Sequence, residues 1–214
     1  MNGLFLTLEG GEGCGKSTQL ERVAEALRTK TGREVVTARS PGGTAVAEKI
    51  RAILKTREPD EDLLPETELM LFGACHAQMC EHMIRPALAR GVVVISDRFT
   101  DSTLVYQGCA RRIAPETVAR VNEFVCRGTR PDLVLVLDIP VELGLRRTAS
   151  RSGGTMQNDR FDSESTAFHT AVRNGFLELA RHEPGRFAVI DASPSPEEVT
   201  QSILEAIHAR LAIL

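Results

Sequence analysis

The chain has 214 residues, 42% of them hydrophobic and 26% charged, which supplies one sizeable core beneath a polar surface. A formal net charge of −3 leaves no basic excess to grip a nucleic-acid backbone, and no apolar run approaches the roughly 18 residues of a membrane span. Cysteines 14, 75, 80, 109 and 126 are odd in number and form no C-x-x-C pair, which argues against a disulfide framework and for a reduced, cytoplasmic setting.

The sequence runs directly into a short apolar strand, Leu4 to Leu8, so no secretory leader is expected. Residues 10 to 17 then read Gly-Gly-Glu-Gly-Cys-Gly-Lys-Ser, and Leu20, Val23, Ala24 and Leu27 follow at helical spacing. A G-x-x-x-x-G-K-[ST] loop between a strand and a helix is a phosphate cradle. Its glycines let successive N–H groups turn inward, and the helix adds the positive end of its dipole. Lys16 reaches the β- and γ-phosphates, and the Ser17 hydroxyl joins Mg²⁺. Gly10, Gly11, Glu12, Gly13, Cys14, Gly15, Lys16, Ser17 and Thr18 are therefore expected to hold a nucleoside triphosphate. Inside that ring of N–H groups the Cys14 thiol is expected to ionise readily and to be open to alkylation.

Val35 to Ala38 reads as a second strand, followed by a Pro41-Gly42-Gly43 turn and a helix with Val46, Ile50, Ile53 and Leu54 on one face. Residues 66 to 90 read as one helix kinked at Pro86. Val92 to Ile95 and Leu133 to Leu137 are continuous aliphatic runs, as in parallel strands covered on both faces. Between them, Pro115 opens a helix carrying Val118, Val121 and Val125. Phe187 to Ile190 is a fifth strand, and Pro196 opens a last helix with Val199, Ile203 and Ile207 inward. The alternation predicts one α/β domain over residues 1–214, a five-stranded parallel sheet flanked by helices. The polar stretch from Arg147 to Arg160 reads as a short mobile lid.

Ligands of open parallel sheets bind beyond the carboxyl ends of the strands, where Glu9, Arg39, Asp97, Arg98, Asp138 and Asp191 fall. Asp97 is the best candidate to order Mg²⁺, with Arg98 beside it to meet phosphate. Asp138 and Asp191 suit cap-and-turn roles.

Taken together, the loop with Glu9 and Glu12, Arg39-x-Pro41-Gly42-Gly43-Thr44, Asp97-Arg98-Phe99, Ser102-Thr103-x-x-Tyr106-Gln107-Gly108, Arg130-Pro131-Asp132-Leu133 and Asp159-Arg160-Phe161 resemble the motifs of the bacterial thymidylate kinases in order and spacing. The resemblance runs over essentially the whole chain. It implies a three-layer P-loop kinase fold and transfer of the γ-phosphoryl group of ATP to dTMP, with Mg²⁺ as cofactor and a homodimer formed through helices beside the sheet. By resemblance, Lys16 and Arg98 bridge donor and acceptor, and a lid arginine, Arg151 or Arg160 before Arg147, closes on the γ-phosphate. Phe72 stacks on thymine, Tyr106 lies against the deoxyribose, and Ser102, Thr103 and Gln107 line the base edge. Arg39 and Pro41 belong to the acceptor side, and Glu9 sits near the sugar 3′-hydroxyl and the metal.

Three positions depart from the family pattern. His76 stands where an arginine usually meets the thymine carbonyl, Ser40 where a glutamate is usual, and Val105 where an alanine is usual. They leave open a broader pocket that accepts several pyrimidine monophosphates. A regulatory nucleotide-binding switch is the reading from another class, though no lysine here begins an N-K-x-D motif.

Overall fold

The computed structural model describes residues 3–151, 160–161 and 164–213, with Arg151 defined by its backbone alone. Five parallel strands, β1 (Leu4–Glu9), β2 (Val35–Arg39), β3 (Val93–Asp97), β4 (Leu133–Asp138) and β5 (Phe187–Asp191), form one sheet in the order β2-β3-β1-β4-β5. Placing β1 between β3 and β4 makes its carboxyl end the point where the chain's direction of winding reverses, and the loop of residues 10–15 leaves from there.

The three inner strands β1, β3 and β4 are buried on both faces, which explains their aliphatic runs, while the edge strands β2 and β5 are only partly covered. Leu6, Leu8, Ile95, Leu133 and Leu135 meet one layer, built by Leu20, Val23 and Leu27 of α1 (Lys16–Thr31) and Ile203 and Ile207 of α9 (Pro196–Leu211). On the opposite face Phe5 and Val94 pack with Met79, Ile84 and Phe99, while Val134 and Val136 pack with Val105, Phe168 and Phe176. Period-2 alternation assigns successive residues of each strand to these two layers.

The segment expected as a single kinked helix is interrupted before its proline. It consists of α3 (Pro65–Met79), a π-helical turn (Cys80–Ile84) and α4 (Arg85–Ala89). Pro86 lies in the first turn of α4, where a missing N–H costs nothing, and the wider turn ahead of it relieves the clash of the proline ring with the preceding carbonyls. A second π-helical segment (Leu104–Ala110) follows α5 (Thr100–Thr103) and carries Tyr106 and Gln107.

On α2 (Ala45–Lys55) the buried residues are Ala47 and Leu54, while Val46 and Ile53 are about half exposed; half of the expected inward face therefore points outward. Residues 147–151, expected within the lid, end α7 (Val141–Arg151), and residues 152–159 of that stretch lie outside the described residues. The helices α6 (Pro115–Cys126) and α8 (Thr166–His182) complete the flanking layers. All five cysteines are free, and among the described residues no helix is long and apolar enough to cross a membrane.

Candidate active site

Helix α1 begins behind Gly15, whose φ of 93° only glycine adopts cheaply. It has no side-chain cap and no acidic residue in its first turn, so its N–H groups and dipole face the loop uncompensated. Lys16 Nζ donates to Gly10 O (3.1 Å), Gly11 O (2.8 Å) and Cys14 Sγ (3.3 Å), fixing an ammonium inside the loop. Cys14 is only 2% exposed and sits beneath that ammonium, so the expectation of an alkylatable thiol is corrected: reagents have no access to it.

Ser17 Oγ donates to Asp97 Oδ2 (3.2 Å), and both residues line a cleft of about 550 Å³. Gly13, Gly15, Lys16 and Thr18 line one end of the cleft; Arg39, Ser40, Pro41, Phe72, Thr103, Tyr106, Gln107 and Phe161 line the other. Arg98 stands between them. Its backbone has φ 68°, a left-handed conformation costing about 1 kcal/mol or more in a non-glycine residue, held by Arg98 N donating to Leu8 O and Arg98 O accepting from Ser96 Oγ. The guanidinium donates to Gly10 O (2.9 Å), Ser102 Oγ (3.2 Å) and Glu12 Oε1 (2.6 Å), and its carbon lies 4.9 Å from the centre of the Tyr106 ring.

Glu12 also accepts from the Tyr106 hydroxyl (3.0 Å). Burial pushes its pKa upward, but Arg98 and then Lys16 outweigh that and hold it at about 2. The loop thus presents a fixed anion to Arg98 from the phosphate side.

Two acids and a histidine depart from their expected places. Glu9 does not line the cleft: it is fully buried, with Oε1 accepting from Phe99 N (2.8 Å) and Oε2 from Ser102 Oγ (2.6 Å). Its place as last residue of β1 puts its side chain on the sheet face covered by α5, where its partner Ser102 is itself a cleft residue. Burial, then the Asp101 carboxylate, raises its pKa to about 8. Asp138 is no cap; Arg173 grips it with two bonds, of 2.7 and 2.9 Å. Asp191 does accept from Ser193 N (2.9 Å), as a turn residue should.

His76, expected at the thymine carbonyl, is fully buried behind the wall, and its Nε2 lies 2.8 Å from Ser40 Oγ. Burial lowers its pKa to about 3, so it is neutral near pH 7. The unusual residues at 40 and 76 are therefore partners of each other, and Ser40 is the one that meets the cleft. Thr103 lines the cleft, yet its hydroxyl donates to Thr100 O (2.6 Å) and faces Asn122 Oδ1 (2.9 Å). Arg39 pairs with Glu48 at the rim, and Arg51 Nη1 donates to Pro41 O (2.6 Å) behind a cis Ser40–Pro41 bond.

The lid arginines are also redistributed. Arg160, expected at the γ-phosphate, is buried against Glu68 Oε2 (2.5 Å) and donates to Leu54 O (3.3 Å). Arg147 donates to Ala192 O and Ser193 O. The Arg151 side chain lies outside the described residues. Sequence reasoning missed Glu68 altogether, because a single glutamate in an apolar helix reads as surface. It also gave no role to Phe161, whose ring lies 6.1 Å from Phe72 and 6.0 Å from Tyr106.

The buried acids and His76 make stability depend on pH in opposite directions. Glu9, with its raised pKa, contributes fully below about pH 4.5 and loses that contribution as pH rises towards 8. His76 and Glu12, with lowered values, contribute fully above about 6.5 and 4.5 and lose it as pH falls towards 3 and 2. Between pH 6.5 and 8 Glu9 alone removes up to about 2 kcal/mol. Unfolding midpoints measured across that interval should fall with pH in the parent and flatten in Glu9→Gln; parallel curves would contradict this assignment.

A sequence model of the family described as thymidylate kinase matches residues 8–203. The chain is 47% identical over 211 residues to a thymidylate kinase of Geobacter sulfurreducens, covering 98% of each chain. It is 50% identical over 203 residues to one of Pseudomonas fluorescens (strain Pf0-1), covering 95% of this chain and 94% of that one. Its structure matches the crystal structure of thymidylate kinase from Ehrlichia chaffeensis with a TM-score of 0.76 at 28% identity, over 97% of this chain and 99% of the other. With a family match over most of its length and relatives near half identity, the chain belongs to the thymidylate kinase family.

Proposed function

We propose that this cleft is where the chain moves the γ-phosphoryl group of ATP to dTMP. One observation carries the reading: an uncapped helix N-terminus with its lysine lies at one end, three aromatic rings at the other, and Arg98 between them. The acceptor phosphate is already ionised near neutral pH, so the reaction needs no strong base. It needs two anions held in line while charge spreads over the transferring oxygens. Lys16 and the loop N–H groups hold the donor phosphates, and Arg98, fixed by Gly10 O, Ser102 and Glu12, meets the charge that develops between donor and acceptor. Phe72 stacks on the base, Tyr106 lies against the sugar, and Arg151 remains the lid arginine we assign to the γ-phosphate.

The Ser17 hydroxyl and Asp97 carboxylate are adjacent hard oxygen donors, and among the described residues no group of three histidine, cysteine or acidic side chains could hold a metal ion. That donor set fits Mg²⁺, which keeps waters and phosphate oxygens as its other ligands. Mg²⁺ would screen the phosphate charge there. We also propose a homodimer through α2, α3 and α6, on which Val46, Ile53, Met70 and Phe124 are exposed.

Phe72→Ala separates the two ends of the cleft. Losing a base–aromatic stack should raise KM for dTMP roughly tenfold and leave KM for ATP within about twofold. Equal changes in both constants would contradict the assignment.

A further inference from the structure

Behind the base end of the cleft, Glu68 is fully buried on α3 with each oxygen committed to a different neighbour. Oε1 accepts from Gln107 Nε2 (2.7 Å) and Arg111 Nε (3.2 Å). Oε2 faces Arg160 Nη2 (2.5 Å) and Arg111 Nη2 (3.4 Å). Arg111 is held in turn by Glu164 (2.6 Å). Both Glu68 oxygens already accept from guanidinium N–H groups and offer Gln107 only an acceptor, so its amide has a single permitted orientation, with NH₂ towards Glu68. Its carbonyl oxygen Oε1 is then turned away from Glu68. It is buried and has no hydrogen-bond partner among the described residues, although Gln107 lines the cleft. An orphaned buried acceptor is costly unless something supplies a donor.

We propose that Glu68 is the positioning residue that decides which pyrimidine the cleft accepts, by holding the Gln107 carbonyl towards the nucleobase. This rests on the assignment of Phe72, Tyr106 and Gln107 to the acceptor base. Thymine and uracil carry an N–H at ring position 3 and satisfy the carbonyl. Cytosine carries an unprotonated nitrogen there and sets acceptor against acceptor. Selectivity for oxo-pyrimidines over aminopyrimidines then needs no charged side chain on the base, consistent with a neutral His76 that bonds Ser40 instead. The Glu68 carboxylate acts on selectivity without touching the substrate.

The test is Glu68→Gln, assayed by kcat/KM for dTMP and dCMP with ATP saturating. Guanidinium donors reach both oxygens of Glu68, so an amide at 68 can present either its oxygen or its NH₂ to Gln107, and the Gln107 amide loses its single permitted orientation. A donor can then point at the base. The dTMP-to-dCMP ratio should fall by roughly tenfold or more, through the acceptor constants and not through KM for ATP. A folded Glu68→Gln enzyme with an unchanged ratio would overturn the proposal. If that variant does not fold, Gln107→Met, which leaves Glu68 and its arginines intact, should lose the same discrimination; retention would overturn it equally. A parent enzyme without preference for dTMP over dCMP would overturn the base assignment itself, and this proposal with it.

Discussion

Lys16→Met is expected to lower kcat by about 10²–10³-fold or more, with a smaller change in KM for dTMP. The ammonium sits inside the loop, bonded to two of its carbonyl oxygens, and is 7% exposed. A charge held in so little water acts on transferring oxygens at much higher strength than an exposed one. Methionine keeps the length and apolar stem but supplies neither the charge nor the two bonds that tie Gly10 and Gly11 together. Lys16→Arg should not restore the rate, because a planar fork cannot replace a compact point charge in this ring. Steady-state rates with ATP varied at saturating dTMP measure the effect. A methionine variant within tenfold of the parent would show that the loop's N–H groups and Arg98 suffice.

Gly144→Ala should be nearly as damaging, although Gly144 lies on α7 and carries no chemistry. A methyl group there would come 2.3 Å from Glu12 O, and one on Gly13 would come 2.1 Å from Gly144 O. Helix and loop are therefore in backbone contact. Neither atom is the end of a flexible side chain, so the extra carbon must displace the loop itself. Overpacking of this kind costs about 1–3 kcal/mol. A displacement on the order of 1 Å at the phosphates is worth about a hundredfold in rate. Gly185→Ala, where an added carbon meets nothing within 4 Å, is the control and should keep both stability and rate. Melting curves and kcat/KM for ATP decide the matter; a Gly144→Ala enzyme with the parent's rate would mean that the loop yields without loss.

Both variants trace to the part of the site that the sequence states openly. A phosphate loop is legible because every residue that makes it is contiguous, and its flanking strand and helix carry their own periodicities. The inner strands β3 and β4 were legible for the same reason, since aliphatic runs covered on both faces need no partner to be recognised. Contacts between distant segments were not legible. Glu9 ends a strand and looked like a site acid, but the pleat turns it to the face that Phe99 and Ser102 cover. Ser40 and His76 looked like two separate departures, and only the fold, which brings α3 against the turn after β2, joins them. Glu68 gathers Gln107 and Arg111 from one later segment and Arg160 from another, so no local pattern announces it. On α2 the apolar stripe was real, but periodicity alone does not distinguish a core face from an outward one.

The most direct test of the account is the initial rate of ADP release with ATP, Mg²⁺ and dTMP, dUMP, dCMP, dAMP or dGMP offered singly. The structure predicts the highest kcat/KM for dTMP, by at least about tenfold over dCMP, with the purines excluded by the closely set rings of Phe72, Tyr106 and Phe161. Equal turnover of dTMP and dCMP, or ATP hydrolysis that no monophosphate accelerates, would contradict it.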